Sequence, residues 1–260
     1  MTTSNQHALS KDHVHLYHRQ GWLGPFTLIS EQEMASVRDT IDRDILEPGR
    51  AQGLAERDYF HNRHLDNRCV YELLSHPNLV ERAASILGPH LVLWRTNFQI
   101  KWPLSQQHGW DSEVRWHQDC AYFQPSPNVI LSAWIAVDDT TRANGCMQVL
   151  PGSHKRLYPH ETDPDAEVFA KGVDPASFDV DEAVDVELKP GQFIFFNEST
   201  LHASPPNRSE TRRFGVTPRL TVPFVDVGRR EEIDVLMLKG EDYMGYYNVV
   251  APPKPAANRG

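Results

Sequence analysis

Three residues of metal-ligand type stand at telling spacing: His117 and Asp119 in Trp116-His117-Gln118-Asp119, and His202 in Leu201-His202-Ala203-Ser204. Residues two apart on a β-strand project from the same face, so a strand over 114–123 sets the imidazole and the carboxylate side by side. A second imidazole from downstream completes a two-His-one-carboxylate set. Such a set covers one face of an iron(II) ion and leaves the other open to a substrate and dioxygen. His-x-Asp alone is a weak signal, because it arises by chance in solvated loops and ion pairs. Arg213 follows His202 by eleven residues, at the head of an apolar run. An arginine there suits a carboxylate ligand, because its planar fork pairs bidentately and stays charged.

The elements that must position these residues read as follows. Residues 1–9 and 251–260 are expected to be flexible tails. Ser10 caps a short helix that Gly21 ends. Phe26 to Ile29 is a brief strand, and Ser30-Glu31-Gln32-Glu33 is a capping box opening a helix through about Leu46. Met34, Val37, Ile41 and Ile45 recur there at helical spacing, as for a helix packed on a sheet. Residues 48–55 read as a turn-rich break, residues 59–68 as a polar, aromatic and basic loop, and residues 76–87 as a helix. His61 and His64 lack cysteine or carboxylate at ligand spacing, so a pocket-rim or structural role suits them better than metal.

Strands dominate thereafter. Over residues 91–102, Trp94, Thr96, Phe98 and Ile100 share one face, and Arg95, Asn97, Gln99 and Lys101 share the other. The polar row faces either water or a ligand, and the pattern alone does not choose. Residues 129–137 read as a strand buried on both faces, with shorter strands at 146–150, 186–188 and 192–196, and a last one at 214–222. Between them, residues 161–187 carry ten acids against one lysine, either as a lid or as an inert insert. Residues 230–247 are expected to form a terminal helix. Two or three helices followed by seven or eight short strands predict a mainly β chain: a double-sheet jelly roll, cupin-like, with N-terminal buttressing helices. No repeat or linker divides the chain, so a single domain over 1–260 is expected.

Composition narrows the function classes. Forty per cent hydrophobic residues and six tryptophans suit a packed globule. No apolar run approaches the ~20 residues of a membrane span, and the N-terminus has no hydrophobic signal segment, which makes the cytoplasm the expected location. A net charge of −9 with no Lys/Arg-rich run argues against nucleic acid or anionic membrane as a partner. It does not exclude a small anionic substrate. Three scattered cysteines make neither a disulfide framework nor a zinc ribbon. Nothing in the sequence sets an oligomeric state.

Six stretches together are far more specific than His-x-Asp: RHLD at 63–66, SILGP at 85–89, WRTNF at 94–98, WHQD at 116–119, ANGCMQVLPGS at 143–153 and KPGQFIFFNESTLHAS at 189–204. Through them the chain, over about residues 20–225, resembles the phytanoyl-CoA dioxygenase-like branch of the Fe(II)/2-oxoglutarate-dependent oxygenases. Within that branch it resembles the group that includes the syringomycin-pathway aliphatic chlorinase. The resemblance implies Fe(II) held by His117, Asp119 and His202. It further implies 2-oxoglutarate on the metal, its C5 carboxylate held by Arg213 with Ser204 assisting. Gln99 and Trp134 then line the co-substrate pocket, and Arg219 backs it from the strand face of Arg213. Trp116, by contrast, reads as packing from its residue type alone. Chlorinating relatives carry a small residue at the position of Asp119, which vacates an iron site for chloride. With the carboxylate present, the resemblance implies O2-dependent hydroxylation with release of succinate and CO2, desaturation being the variant outcome.

The substrate expected is a small free metabolite, an amino acid or a similar polar compound. Arg95, Asn97, Lys101, Arg63-His64, Tyr122 and Phe123 are the candidates to line its pocket. Two alternatives stand beside it: the same chemistry on a carrier- or CoA-tethered acyl group, and a cupin-like binding protein without turnover. His108 and His154 are expected at the surface.

Overall fold

The computed structural model describes residues 6–106, 113–123, 125–163, 170–228 and 232–255. The chain opens with α1 (Lys11–Gln20), capped by Ser10 and closed by Gly21 in the left-handed conformation, φ 78°. It continues through β1 (Trp22–Thr27) and α2 (Glu31–Ile41), whose capping box is formed by Ser30 and Glu33. A π-helical turn (Asp42–Leu46) then leads into α3 (Glu47–Ala51). The expected break at 48–55 is therefore helical over its first half, Pro48 lying early in α3 just after the π-helical turn. α4 (Glu56–Tyr59), α5 (Arg68–Leu74) and α6 (Pro77–Leu87) complete the helices. α5 was hidden in the sequence, being two turns long and capped by Asn67 inside a polar stretch.

Two main sheets follow. They comprise β2 (Leu91–Lys101), β3 (Val114–His117), β4 (Leu131–Ala136), β5 (Met147–Val149), β8 (Val184–Val186), β9 (Gln192–Asn197), β10 (His202–Ser204), β11 (Arg213–Thr221), β12 (Asp234–Lys239) and β13 (Asn248–Val249). A small hairpin, β6 (Glu161–Thr162) with β7 (Lys171–Gly172), stands apart. One sheet runs β1-β9-β4-β11-β2-β12-β13 and the other β3-β10-β5-β8. This is the expected two-sheet jelly roll with helices on one face. No helix among the described residues is long and apolar enough to cross a membrane.

Alternation along the large sheet sorts its side chains between two layers. Phe193, Phe195, Phe214 and Val216 join Met34, Ile41, Leu74 and Leu79 in the helix-side core. Their neighbours Ile194, Phe196 and Trp134 turn inward and meet Met147 and Val149 of the small sheet. β4 is buried on both faces, as its sequence required of a central strand.

Several expectations are corrected. Residues 230–247 hold β12, not a helix: β12 pairs with the edge of β2, and backbone hydrogen bonding to that ladder decides its form. The strand at 213–221 is consequently not the last. The tails are partly tied down, with the Leu9 amide donating to Ser85 Oγ at 3.0 Å and Arg68 Nη1 donating to the Pro253 carbonyl at 3.2 Å. His154 is half-buried, its Nε2 against the His18 carbonyl at 3.0 Å, while His108 lies outside the described residues.

Candidate metal and co-substrate site

His117 ends β3, and β10 runs antiparallel beside it so that His202 lies directly opposite. The two imidazoles are thus a cross-strand pair, ring centroids 4.2 Å apart. Asp119 arrives differently from the expectation. The strand stops at His117, and Asp119 opens a 3-10 turn (Asp119–Ala121), in which the Tyr122 amide bonds back to the Asp119 carbonyl. The turn, not the period of a strand, brings the carboxylate back towards the imidazoles. Ligand atoms of His117, Asp119 and His202 all lie within 4.8 Å of one another, and all three residues are buried.

Both imidazoles are held for one task. His117 Nδ1 donates to the Arg115 carbonyl at 2.8 Å and His202 Nδ1 to the Thr200 carbonyl at 2.9 Å. A carbonyl only accepts, so the proton sits on Nδ1 and the Nε2 lone pair is left for a metal. Burial, then the neighbouring His117, pushes His202 down to about 4, which keeps it neutral. Burial alone would raise the Asp119 carboxyl. The Arg219 charge and the two imidazoles outweigh it and hold Asp119 far below the usual carboxylate range. Arg219 Nη2 donates to Asp119 Oδ2 at 2.9 Å, leaving Oδ1 on the side of His117 Nε2, 3.5 Å away. Two imidazoles fixed through Nδ1 and one oriented carboxylate oxygen are the donor set of a divalent iron site with open positions.

A cavity reaches both these ligands and Arg213, lined by Gln99, Trp134, Thr217, Ser204 and Arg219 among others. Arg213 is 3% exposed and stacks over Trp134 at 5.5 Å. Among the described residues no carboxylate pairs with it, and its Nε has no hydrogen-bond partner. Burial pushes this guanidinium down to about 10, so it stays charged at neutral pH. A buried, unmatched cation at the end of a cavity fits a ligand carboxylate. Ser204 lines the same cavity, but its hydroxyl donates to the Gly145 carbonyl at 2.8 Å and would have to leave it to serve a ligand. Gly215 makes room for Trp134, since a Cβ there would fall far inside contact distance of the indole.

The structure also sorts the expected pocket residues. Lys101 is 1% exposed, with Nζ on the carbonyls of Ser204 and Pro205, so it fastens β2 to β10 and does not face the cavity. Arg63 pairs with Asp66, and His64 turns into the core against Thr96 Oγ1 at 2.9 Å. Tyr122 is engaged through its hydroxyl with both backbone groups of Lys171. Arg95, Asn97 and Phe123 gather around Arg219, which lines the cavity: Asn97 Oδ1 accepts from both Arg95 and Arg219, and both guanidinium groups lie over the Phe123 ring.

Gln118 is a positioning residue that sequence reasoning passed over. Its side chain, fully buried between the two ligands, donates to the Arg156 and Ser199 carbonyls and accepts from the Tyr158 amide. Its own amide donates to His160 Nε2 at 2.9 Å. A polar side chain between two ligand-type residues was the available signal.

The chain is 30% identical over 167 residues to a probable phytanoyl-CoA dioxygenase of Caenorhabditis elegans, covering 58% of this chain and 50% of that protein. It is 29% identical over 190 residues to a probable alpha-ketoglutarate-dependent hypophosphite dioxygenase of Stutzerimonas stutzeri, covering 69% and 63%. The match thus spans half to somewhat under two thirds of these relatives' length. Among solved structures, the non-heme monooxygenase ThoJ in its apo form superposes with a TM-score of 0.79 at 27% identity, over 93% of this chain and 88% of that one. The phytanoyl-CoA dioxygenase (PhyH) family model matches residues 17–215, well over half of the sequence, and the chain belongs to the phytanoyl-CoA dioxygenase family.

Proposed function

We propose that this protein is an Fe(II)/2-oxoglutarate-dependent dioxygenase that hydroxylates an unactivated carbon of a small polar metabolite. The observation that carries the reading is one cavity with a buried His117-Asp119-His202 set at one end and the unmatched Arg213 at the other. The dependence on alpha-ketoglutarate in the name of the Stutzerimonas relative supports the same co-substrate. When bound, iron and 2-oxoglutarate supply the oxidising power: one dioxygen atom enters the C–H bond, the other enters succinate, and carbon dioxide leaves.

The chain's own residues set the geometry of that chemistry. His117, Asp119 and His202 would hold the metal, and Arg219 occupies Asp119 Oδ2, which leaves Oδ1 for it. Arg213 anchors the far carboxylate of the keto acid, with Trp134 beneath the guanidinium and Gln99 and Thr217 along the path. The retained Asp119 leaves no protein-ligand position vacant for a halide, which supports hydroxylation over halogenation.

Adding iron(II) and then 2-oxoglutarate to the protein without oxygen is expected to raise a visible metal-to-ligand charge-transfer band. On admitting air, a metabolite screen is expected to find compounds that increase succinate release. A folded, metal-loaded protein that gives no band on adding the keto acid overturns the assignment.

A further inference from the structure

Arg95 stands beside Arg219, which lines the cavity, and among the described residues it forms no ion pair. It pairs with Arg219 across β2 and β11, so both guanidinium groups leave the inward face of the large sheet side by side. Arg219 is answered by Asp119 at 2.9 Å. Arg95 has only its Nε on Asn97 Oδ1 at 3.2 Å, and among the described residues no carboxylate lies within ion-pair distance of it. Its plane is steadied by Phe123, whose ring centroid is 5.0 Å from Arg95 Cζ and 4.8 Å from Arg219 Cζ. Phe123 is itself held edge-on by Trp94 at 5.4 Å.

A second buried acid, Glu198, lies within reach of Asp119 and Arg219 and adds no negative charge to this end. Glu198 is fully buried with no hydrogen-bond partner for either oxygen, and burial, then the Asp119 charge, pushes it up to about 8, so it keeps its proton at neutral pH. Burial first and Arg219 second push Arg95 down to about 10, which leaves it charged. A divalent metal with a doubly charged keto acid on Arg213 leaves this end of the cavity net positive. Arg95 is only half-buried, so a ligand can reach it.

We propose that Arg95 is the substrate-recognition residue of this site, its free guanidinium edge binding an anionic group, a carboxylate or a phosphorus oxyanion, on the molecule to be oxidised. The proposal rests on the oxygenase reading and specifies its substrate class: small anionic or zwitterionic metabolites over neutral ones. The fork of donors fits two oxygens of either kind of anion bidentately. Asn97, bonded to both arginines, fixes the distance between the anion and the metal ligands.

The test is a binding measurement on protein loaded with zinc(II), so that turnover plays no part. 2-Oxoglutarate is titrated first, followed by matched pairs read by ligand-observed NMR: hexanoate against hexanamide, leucine against leucinamide, and propylphosphonate against its dimethyl ester. We expect at least one acid to bind about tenfold or more tightly than its neutral partner, and Arg95→Gln to reduce that preference to roughly twofold or less. Arg95→Lys, which keeps the charge but not the fork, is expected to retain part of the preference, and neither variant is expected to change 2-oxoglutarate affinity more than about threefold. The phosphonate and carboxylate arms distinguish the two kinds of anion. Neutral partners bound as tightly as the acids, no acid bound at all, or an unchanged preference in Arg95→Gln overturns the proposal. Failure of the oxygenase reading shows separately, as no 2-oxoglutarate binding in the first titration.

Discussion

A buried arginine with no ion-pair partner is costly to the empty protein and useful to the loaded one, and among the described residues Arg213 has none. It contrasts with its neighbour Arg212, which points the other way and is answered by both Asp42 and Asp138 at 2.7 Å. The two adjacent arginines therefore respond oppositely to removal. Arg213→Gln is expected to weaken 2-oxoglutarate binding on the order of a hundredfold while changing iron(II) affinity within about threefold. The same change is expected to raise the melting temperature of the ligand-free protein, because it removes an unmatched buried charge. Equal losses in iron and 2-oxoglutarate affinity, together with a lower melting temperature, would make Arg213 a structural arginine like Arg212. The types of these residues were readable in the sequence, but their states of pairing were not, because the acids that answer Arg212 and the cavity that faces Arg213 are assembled from distant segments.

At the scale of elements, the alternation along β2 separates a core face from a polar face; of its four polar residues Gln99 lines the cavity, and Arg95 and Asn97 lie against Arg219, which also lines it. Lys101 escaped that reading, since its length lets it fold back onto the carbonyls of Ser204 and Pro205. Asp119 escaped it too: the Cys120 amide bonds to the Glu198 carbonyl at 3.2 Å and turns the chain out of the ladder. β12 was misread because its four-residue apolar run, Val235 to Leu238, carries no period long enough to separate strand from helix. The least visible feature is Gly215, whose missing side chain lets the Trp134 indole lie flat between β4 and β11. In Gly215→Ala the indole must move into the cavity. 2-Oxoglutarate affinity is expected to fall about tenfold, with a shift in tryptophan fluorescence and little change in the circular dichroism of the sheets. Adding Trp134→Phe, which frees that space, is expected to restore part of the affinity. A Gly215→Ala protein that binds the keto acid normally would mean the indole does not border its site.

At the scale of the whole molecule, the helix layer is fastened to the large sheet by an apolar core, and His64 is a fully buried titratable residue beside it. It bonds Thr96 through Nδ1, and its Nε2 has no partner among the described residues. Burial alone pushes it from an ordinary value of 6.5 down to about 4. The unfolded chain therefore binds this proton more readily than the native one between those two values, so stability must rise with pH through that window. The contribution is fully present above pH 6.5, is lost progressively as the pH falls towards 4, and amounts to about 3 kcal/mol over the whole interval. Other depressed histidines, His202 among them, act in the same direction, so the wild-type slope alone does not isolate His64. The difference between wild type and His64→Gln in urea midpoints, measured from pH 4 to 7, does. The variant is expected to be the less stable at pH 7 and to close that gap as the solution is acidified. A constant gap across the range would show that His64 is protonated equally in both states. The helix layer would then owe its acid sensitivity to other groups.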